Sequence, residues 1–161
     1  MTKLLTLAAM VALPAVAAIA QAPMAASTYV IKAGGGDQYE IQSSRLVLIS
    51  TKNAKLRSFA TMMVTDHTKS TADVKAAAMR AGLHPAPPKL DAMGTKNVAA
   101  LRAANGTARD RLYVEQQKAA HQRALTLHQS YAQSGTAAPL RAVAGSVAPV
   151  VQGHISELSA M

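Results

Sequence analysis

A helix that is apolar along one stripe and still sets an imidazole on that stripe needs a reason to do so, and His67 is such a residue. Leu56, Ala60, Met63, His67, Ser70, Val74, Ala77 and Ala81 recur at alternating steps of four and three, the period of a helix packed into a bundle. His121 falls on a second stripe with Val114, Gln117, Leu125 and His128, and His154 on a third with Leu140, Val143, Val147, Val150 and Leu158. An imidazole buried without a hydrogen bond costs about 1–3 kcal/mol. Three of them would consume much of a typical stability of about 5–15 kcal/mol, so something must satisfy them. Three neutral imidazoles and a carboxylate from Glu40 form a donor set for one zinc, copper, nickel or non-haem iron ion, with all positions taken by protein groups. The same four residues with Ser44, Ser70, Tyr113 and Gln117 also fit a metal-free hydrogen-bonded network completed by water. The residues alone leave both readings open.

Around these four the other polar residues fall into supporting or surface roles. Asp66 points about 100° round the helix from His67 and cannot join it from the same face; it and Gln117 are read as outer groups that orient a ring nitrogen. His128 is expected near the bundle end or half exposed, and His84, in the proline-rich "HPAPPKL", at the surface. No Glu-x-x-His occurs, which disfavours the di-iron chemistry of carboxylate bundles. With no cysteine and no acid pair on one face, no nucleophilic or glycosidic constellation is present. No catalytic residue is assigned, and the chain is not read as an enzyme.

The elements that must position the four are helices. Alanine, leucine, valine, glutamine, lysine and arginine dominate without a valine-rich alternating run, which predicts an all-α domain. Ser27 or Thr28 caps a first helix to Thr51 that passes through Gly34–Gly36, a cluster read as a place of close helix packing. Asn53 caps a second, which Gly82 ends. Asp91 caps a short helix to about Ala104, a third long helix runs from Ala108 to Ser134, and a fourth from Ala138 to Met161 with Pro149 inside it. Tight turns join the first pair and the last pair, and a long crossover carrying the short helix joins the pairs. The architecture this predicts is an antiparallel four-helix bundle with a ferritin-like crossover. Counted from the turns at about 1.5 Å per residue, Glu40 and His67 lie roughly 16 and 21 Å down, and His121 and His154 roughly 20 and 24 Å down. Each pair shares a layer.

At the start of the chain Lys3, an apolar run from Leu4 to about Ala20 broken by Pro14, and Ala18-Ile19-Ala20 make the pattern of a cleaved secretory signal. The run is a little short for a span of about 20 residues. Cleavage after Ala20 leaves 141 residues at a net charge of +8, one domain whose stability rests on packing and any bound ligand, since there is no disulfide. The expected location is the periplasm or the outer membrane. The positive charge points to an anionic envelope surface or a protein partner. Nucleic acid is excluded, because the lysines and arginines are scattered and there is one Phe and no Trp to stack on bases. Without a metal, the alternative function is a structural or interaction module holding such partners.

From "TYVIKAGGGDQYEIQSS" through "AKLRSFATMMVTDHTKSTADVKAAA" and "LDAMGTKNVAAL" to "DRLYVEQQKAAHQRAL" and "APVVQGHISEL", the chain resembles the exported, ferritin-like four-helix proteins grouped as the domain of unknown function 4142. The run Met63 to His67 and the spacing of Tyr113 to His121 are the most specific marks. The resemblance implies a four-helix bundle, export, no established catalytic activity, and a glutamate with three histidines at the positions of Glu40, His67, His121 and His154. This sequence departs from the family in having Arg109 where an aromatic is usual, and Ala120 where an acid often precedes the third-helix histidine.

Overall fold

Strong caps and one long crossover set the frame. The computed structural model describes residues 22–161, so the signal read at residues 1–20 lies outside the described residues. Five helices follow one another: α1 (Ala26–Ser50), α2 (Ala54–Arg80), α3 (Ala92–Ala103), α4 (Gly106–Ser134) and α5 (Ala138–Ser159). Asn53 caps α2 by accepting from the Leu56 backbone N–H, and Asp91 caps α3 by accepting from that of Gly94. Gly82 ends α2 with φ of +76°, a conformation that costs other residues a Cβ clash.

α1 packs along α2 and α4 along α5, while α1 also touches α4 and α2 touches α5, so the four long helices form a closed ring of neighbours. Three contacts fix their directions. Thr51, at the end of α1, donates to Asp110 near the start of α4; Tyr29, at the start of α1, meets His128 near the end of α4; and Lys55, at the start of α2, reaches the Ala160 carbonyl after α5. α1 and α5 therefore run one way and α2 and α4 the other, and residues 81–105 must travel the length of the molecule between α2 and α4. α3, part of that crossing, packs against α1 and α4. No helix among the described residues is long and apolar enough to cross a membrane.

The glycine cluster on α1 receives the proline-rich crossover and not a neighbouring helix. A Cβ on Gly34 would lie 2.8 Å from Pro88 Cβ, and one on Gly35 3.0 Å from the Lys89 carbonyl oxygen, whereas one on Gly36 would meet nothing within 4 Å. Other expectations are also corrected. α1 begins at Ala26 without a cap from Ser27 or Thr28; its first N–H donates to Thr136 Oγ1 in the α4–α5 turn, so the cap is tertiary. On α5, Val150 is exposed and Ala144 and Val151 carry the core, because small residues weaken the apolar pattern that sets the phase. On α4, Tyr113, Ala120 and Tyr131 are buried where Val114 and Leu125 were expected. Arg109, buried on α4, donates to the Leu101 and Ala104 carbonyls near the end of α3, to the Leu46 carbonyl and Ser50 Oγ near the end of α1, and to Asn105 Oδ1. A guanidinium meeting two helix C-termini is favourable through both dipoles. It locks the crossover to α1.

Candidate metal centre

Halfway along the molecule, α2, α4 and α5 each present one histidine to the interior. His67, His121 and His154 are 6%, 1% and 4% exposed, and one nitrogen of each lies within 4.8 Å of the others. Their ring centroids are 5.3–5.8 Å apart, two of the three pairs nearly perpendicular. Phe59, two turns before His67, sets its ring 6.5 and 6.3 Å from those of His121 and His154 and closes that side with hydrocarbon.

The outer nitrogens decide which atoms remain. His67 Nδ1 lies 2.8 Å from Asp37 Oδ1, and His154 Nε2 lies 3.0 Å from Asp66 Oδ2. A carboxylate only accepts, so those two nitrogens carry the protons. His121 Nδ1 donates to the Gln117 carbonyl at 3.0 Å, one turn back on its own helix. Each neutral ring is then left with a bare lone pair: His67 Nε2, which has no partner at all, and His121 Nε2 and His154 Nδ1, which face each other at 3.3 Å. Two lone pairs at that distance repel unless a cation lies between them. A tetrahedron of metal–nitrogen bonds of about 2.0–2.1 Å has an edge of about 3.3–3.4 Å, so the spacing suits two ligands of one ion. Backing of each ring by an acceptor is the arrangement that fixes tautomer and orientation in histidine metal sites.

Protonation follows the same layout. Burial pushes His121 down to about 3, with His67 and His154 adding to the effect, so its lone pair is free at neutral pH. Burial also lowers His154, against the pull of Asp66. At His67 burial is outweighed by Asp37 and Glu40, and its pKa is raised. A cation at His67 Nε2 therefore competes with a proton.

Of the residues read as ligands, the structure brings together His67, His121 and His154 and leaves Glu40 outside that group. The Glu40 carboxylate is buried, with Oε1 3.8 Å from His121 Nδ1, the nitrogen turned away from the cluster, and Oε2 without a hydrogen bond. Burial raises its pKa to about 7, opposed by His67 and by the Gln117 side chain. Three of the four expected side chains thus converge, and Glu40 stands beside His121. The helical phase had put Glu40 on the right face but could not place the tip of its flexible side chain. Asp66 and Gln117 stand behind His154 and His121 respectively, Gln117 through its backbone carbonyl. Asp37, 4% exposed, also accepting from Thr71, went unassigned in the sequence. Its signal was present: it lies three residues before Glu40, so the two acids share a face of α1, which corrects the expectation that no acid pair does. His84 is exposed, but His128 is buried and bonded to Tyr29 at 3.0 Å, contrary to its expected half-exposure.

Fold and site together define an all-α domain whose long helices enclose a three-histidine cluster. The chain matches the model of the family described as Domain of unknown function (DUF4142) over residues 11–161 and belongs to that family. A solved structure described as a DUF305 fragment from Deinococcus radiodurans is similar, with a TM-score of 0.72 at 14% identity, covering 84% of this chain and 93% of that one; at this identity the likeness concerns the fold alone. No curated protein matches the chain.

Proposed function

We propose that this protein is an exported helical domain, ferritin-like in the path of its chain, that binds one divalent transition-metal ion through His67, His121 and His154. The observation that carries the proposal is the set of three imidazole nitrogens within 4.8 Å of one another, each on a ring whose other nitrogen is held by an acceptor. Asp37 and Asp66 supply two negative charges behind the rings, matching a divalent cation in a buried site. Nitrogen ligands with no sulfur favour zinc, copper(II), nickel or iron(II) over calcium and magnesium. The N-terminal signal pattern supports a periplasmic or outer-membrane location. No catalytic role is assigned to any residue.

Elemental analysis of the full chain, purified without a polyhistidine tag and dialysed against each metal, tests the proposal. Close to one ion per chain is expected. A stoichiometry well below one for all four metals would leave a protonated histidine network and overturn it. The rival function, an interaction module for anionic envelope polymers, rests on the +8 charge left once the signal is removed; salt-sensitive adhesion to anionic vesicles by metal-free protein would favour it.

A further inference from the structure

Resting on that metal reading, we infer that the centre keeps its fourth coordination position for an exogenous ligand, a solvent molecule or a small monodentate anion, received by Glu40 and Gln117. Three protein nitrogens leave one vertex of a tetrahedron open, and zinc sites with that composition hold water or substrate there. Polar atoms beside the His121 ring point the same way, Glu40 being 3.8 Å from it and Gln117 one turn before it on α4. Glu40 Oε2 and Gln117 Oε1 are both buried and both without a hydrogen bond; the amide oxygen is an acceptor, and so is the carboxylate once pH exceeds the Glu40 value of about 7.

Among the described residues no hydrogen bond reaches either oxygen. The Gln117 amide nitrogen donates to Ser43 Oγ, which turns its oxygen away from that bond, and Ser43 itself donates to the Glu40 carbonyl. The His121 Nδ1 proton goes to the Gln117 backbone and not to Glu40 Oε1, which is 3.8 Å off. Glu40 lies outside the group of atoms close enough to share one ion, so an ion held by the three nitrogens does not by itself satisfy either oxygen. A solvent molecule completing the ion's coordination has two protons to give and needs acceptors that carry none. Phe59 blocks the side of His121 and His154 with an apolar ring. The Asp66 side chain, 34% exposed while bonded to His154, marks the side open to solvent.

Cobalt(II) as the bound metal makes the fourth ligand visible, because its d–d absorption reports coordination number and donor type. The full chain is loaded with cobalt(II) and titrated with sodium azide at about pH 8, above the Glu40 value of about 7, as wild type and as Glu40→Gln, each checked for cobalt content and helicity. The wild-type bands are expected to shift saturably with azide. Glu40→Gln is expected to keep one cobalt and to bind azide about tenfold more tightly, having lost both an anion that repels azide and an acceptor that holds the solvent it displaces. Bands indifferent to azide in a protein that holds one cobalt would overturn the open position while sparing the three-histidine site. Loss of cobalt in folded Glu40→Gln would make Glu40 the fourth ligand and overturn it too. A wild type that takes up no cobalt, zinc or copper fails at the metal reading itself. Should Glu40→Gln not fold, the wild-type titration alone still decides.

Discussion

Two layers of this molecule bury histidine, and they differ in what the imidazoles face. In the middle layer three rings have their outer nitrogens pinned by acceptors and turn bare lone pairs toward one another. Toward the start of α1, His128 is equally buried, but its Nδ1 meets the Tyr29 hydroxyl at 3.0 Å, a partner able to give or take the proton. Tyr29 stacks on Tyr131 with centroids 3.9 Å apart, and the Tyr131 hydroxyl accepts from the Ala137 N–H. That layer is self-sufficient. Depth of burial therefore does not mark a ligand; an outer nitrogen held by a group that can only accept, with the inner one bare, does.

The largest effect should come from exchanging the two layers as targets. His121→Ala removes one of the three proposed ligands and should abolish uptake at micromolar metal, while His128→Ala should leave one ion per chain. Equilibrium dialysis with elemental analysis reads both. Equal loss in the two variants would mean that metal binding reports global folding and that the two layers do not differ in it.

Acidification separates the layers by a different observable. Burial lowers His128 to about 4, with Asp37 pulling upward and His67 downward. Unfolded, it returns to about 6.5. Between those values the unfolded chain binds the extra proton, so stability falls as pH drops from about 6.5 to 4, by at most about 3 kcal/mol from this residue. His128→Gln keeps a polar partner for Tyr29 and removes the titration, so urea midpoints of metal-free protein should lose less over that interval than wild type does. An unchanged slope would place the acid sensitivity wholly in the middle layer.

How far such a contrast was visible beforehand depends on what fixes each side chain. The four-three rhythm of α2 placed His67 correctly because Leu56, Met63 and Val74 are large enough to fix the phase. On α5 the core uses Ala144 and the exposed face carries Val150, so the apolar pattern misled by one residue there while still putting His154 inward. Asp37 follows three glycines in a polar stretch, where no apolar neighbour marks its face. Glu40 was on the right face, yet face is a backbone property and the carboxylate is several rotatable bonds away. Likewise His128 was judged by its distance from a helix end, whereas the stacked tyrosines extend the core to that depth. The capping of α1 by Thr136 and the clamp of Arg109 on two helix ends are tertiary, and no local pattern encodes them.

The acceptors behind the rings offer a finer test. Asp37→Asn is nearly isosteric but replaces a charged acceptor by one whose amide can turn either way, freeing His67 to change tautomer. Metal affinity should fall about 10–100-fold, the usual effect of removing such a partner. Asp66→Asn should cost less, since its carboxylate is one third exposed and water can replace it. Competition titration against a chelating dye measures both. Identical losses would argue that only net charge, and not ring orientation, matters at this site.

The smallest effect concerns the stretch of α1 that joins the layers, Gly34–Gly36, between Tyr29 and Asp37. Alanine is favoured over glycine within a helix by about 1 kcal/mol. At Gly36, where an added Cβ meets nothing within 4 Å, Gly36→Ala should realise most of that gain. At Gly34 the same change sets a Cβ 2.8 Å from Pro88, and at Gly35 3.0 Å from the Lys89 carbonyl, so the crossover must shift and stability should fall. Denaturant midpoints read the sign, and metal stoichiometry should stay at one in Gly36→Ala. If all three variants gained stability alike, the crossover would not be clamped on α1, and the two layers would be held in register by helix packing alone.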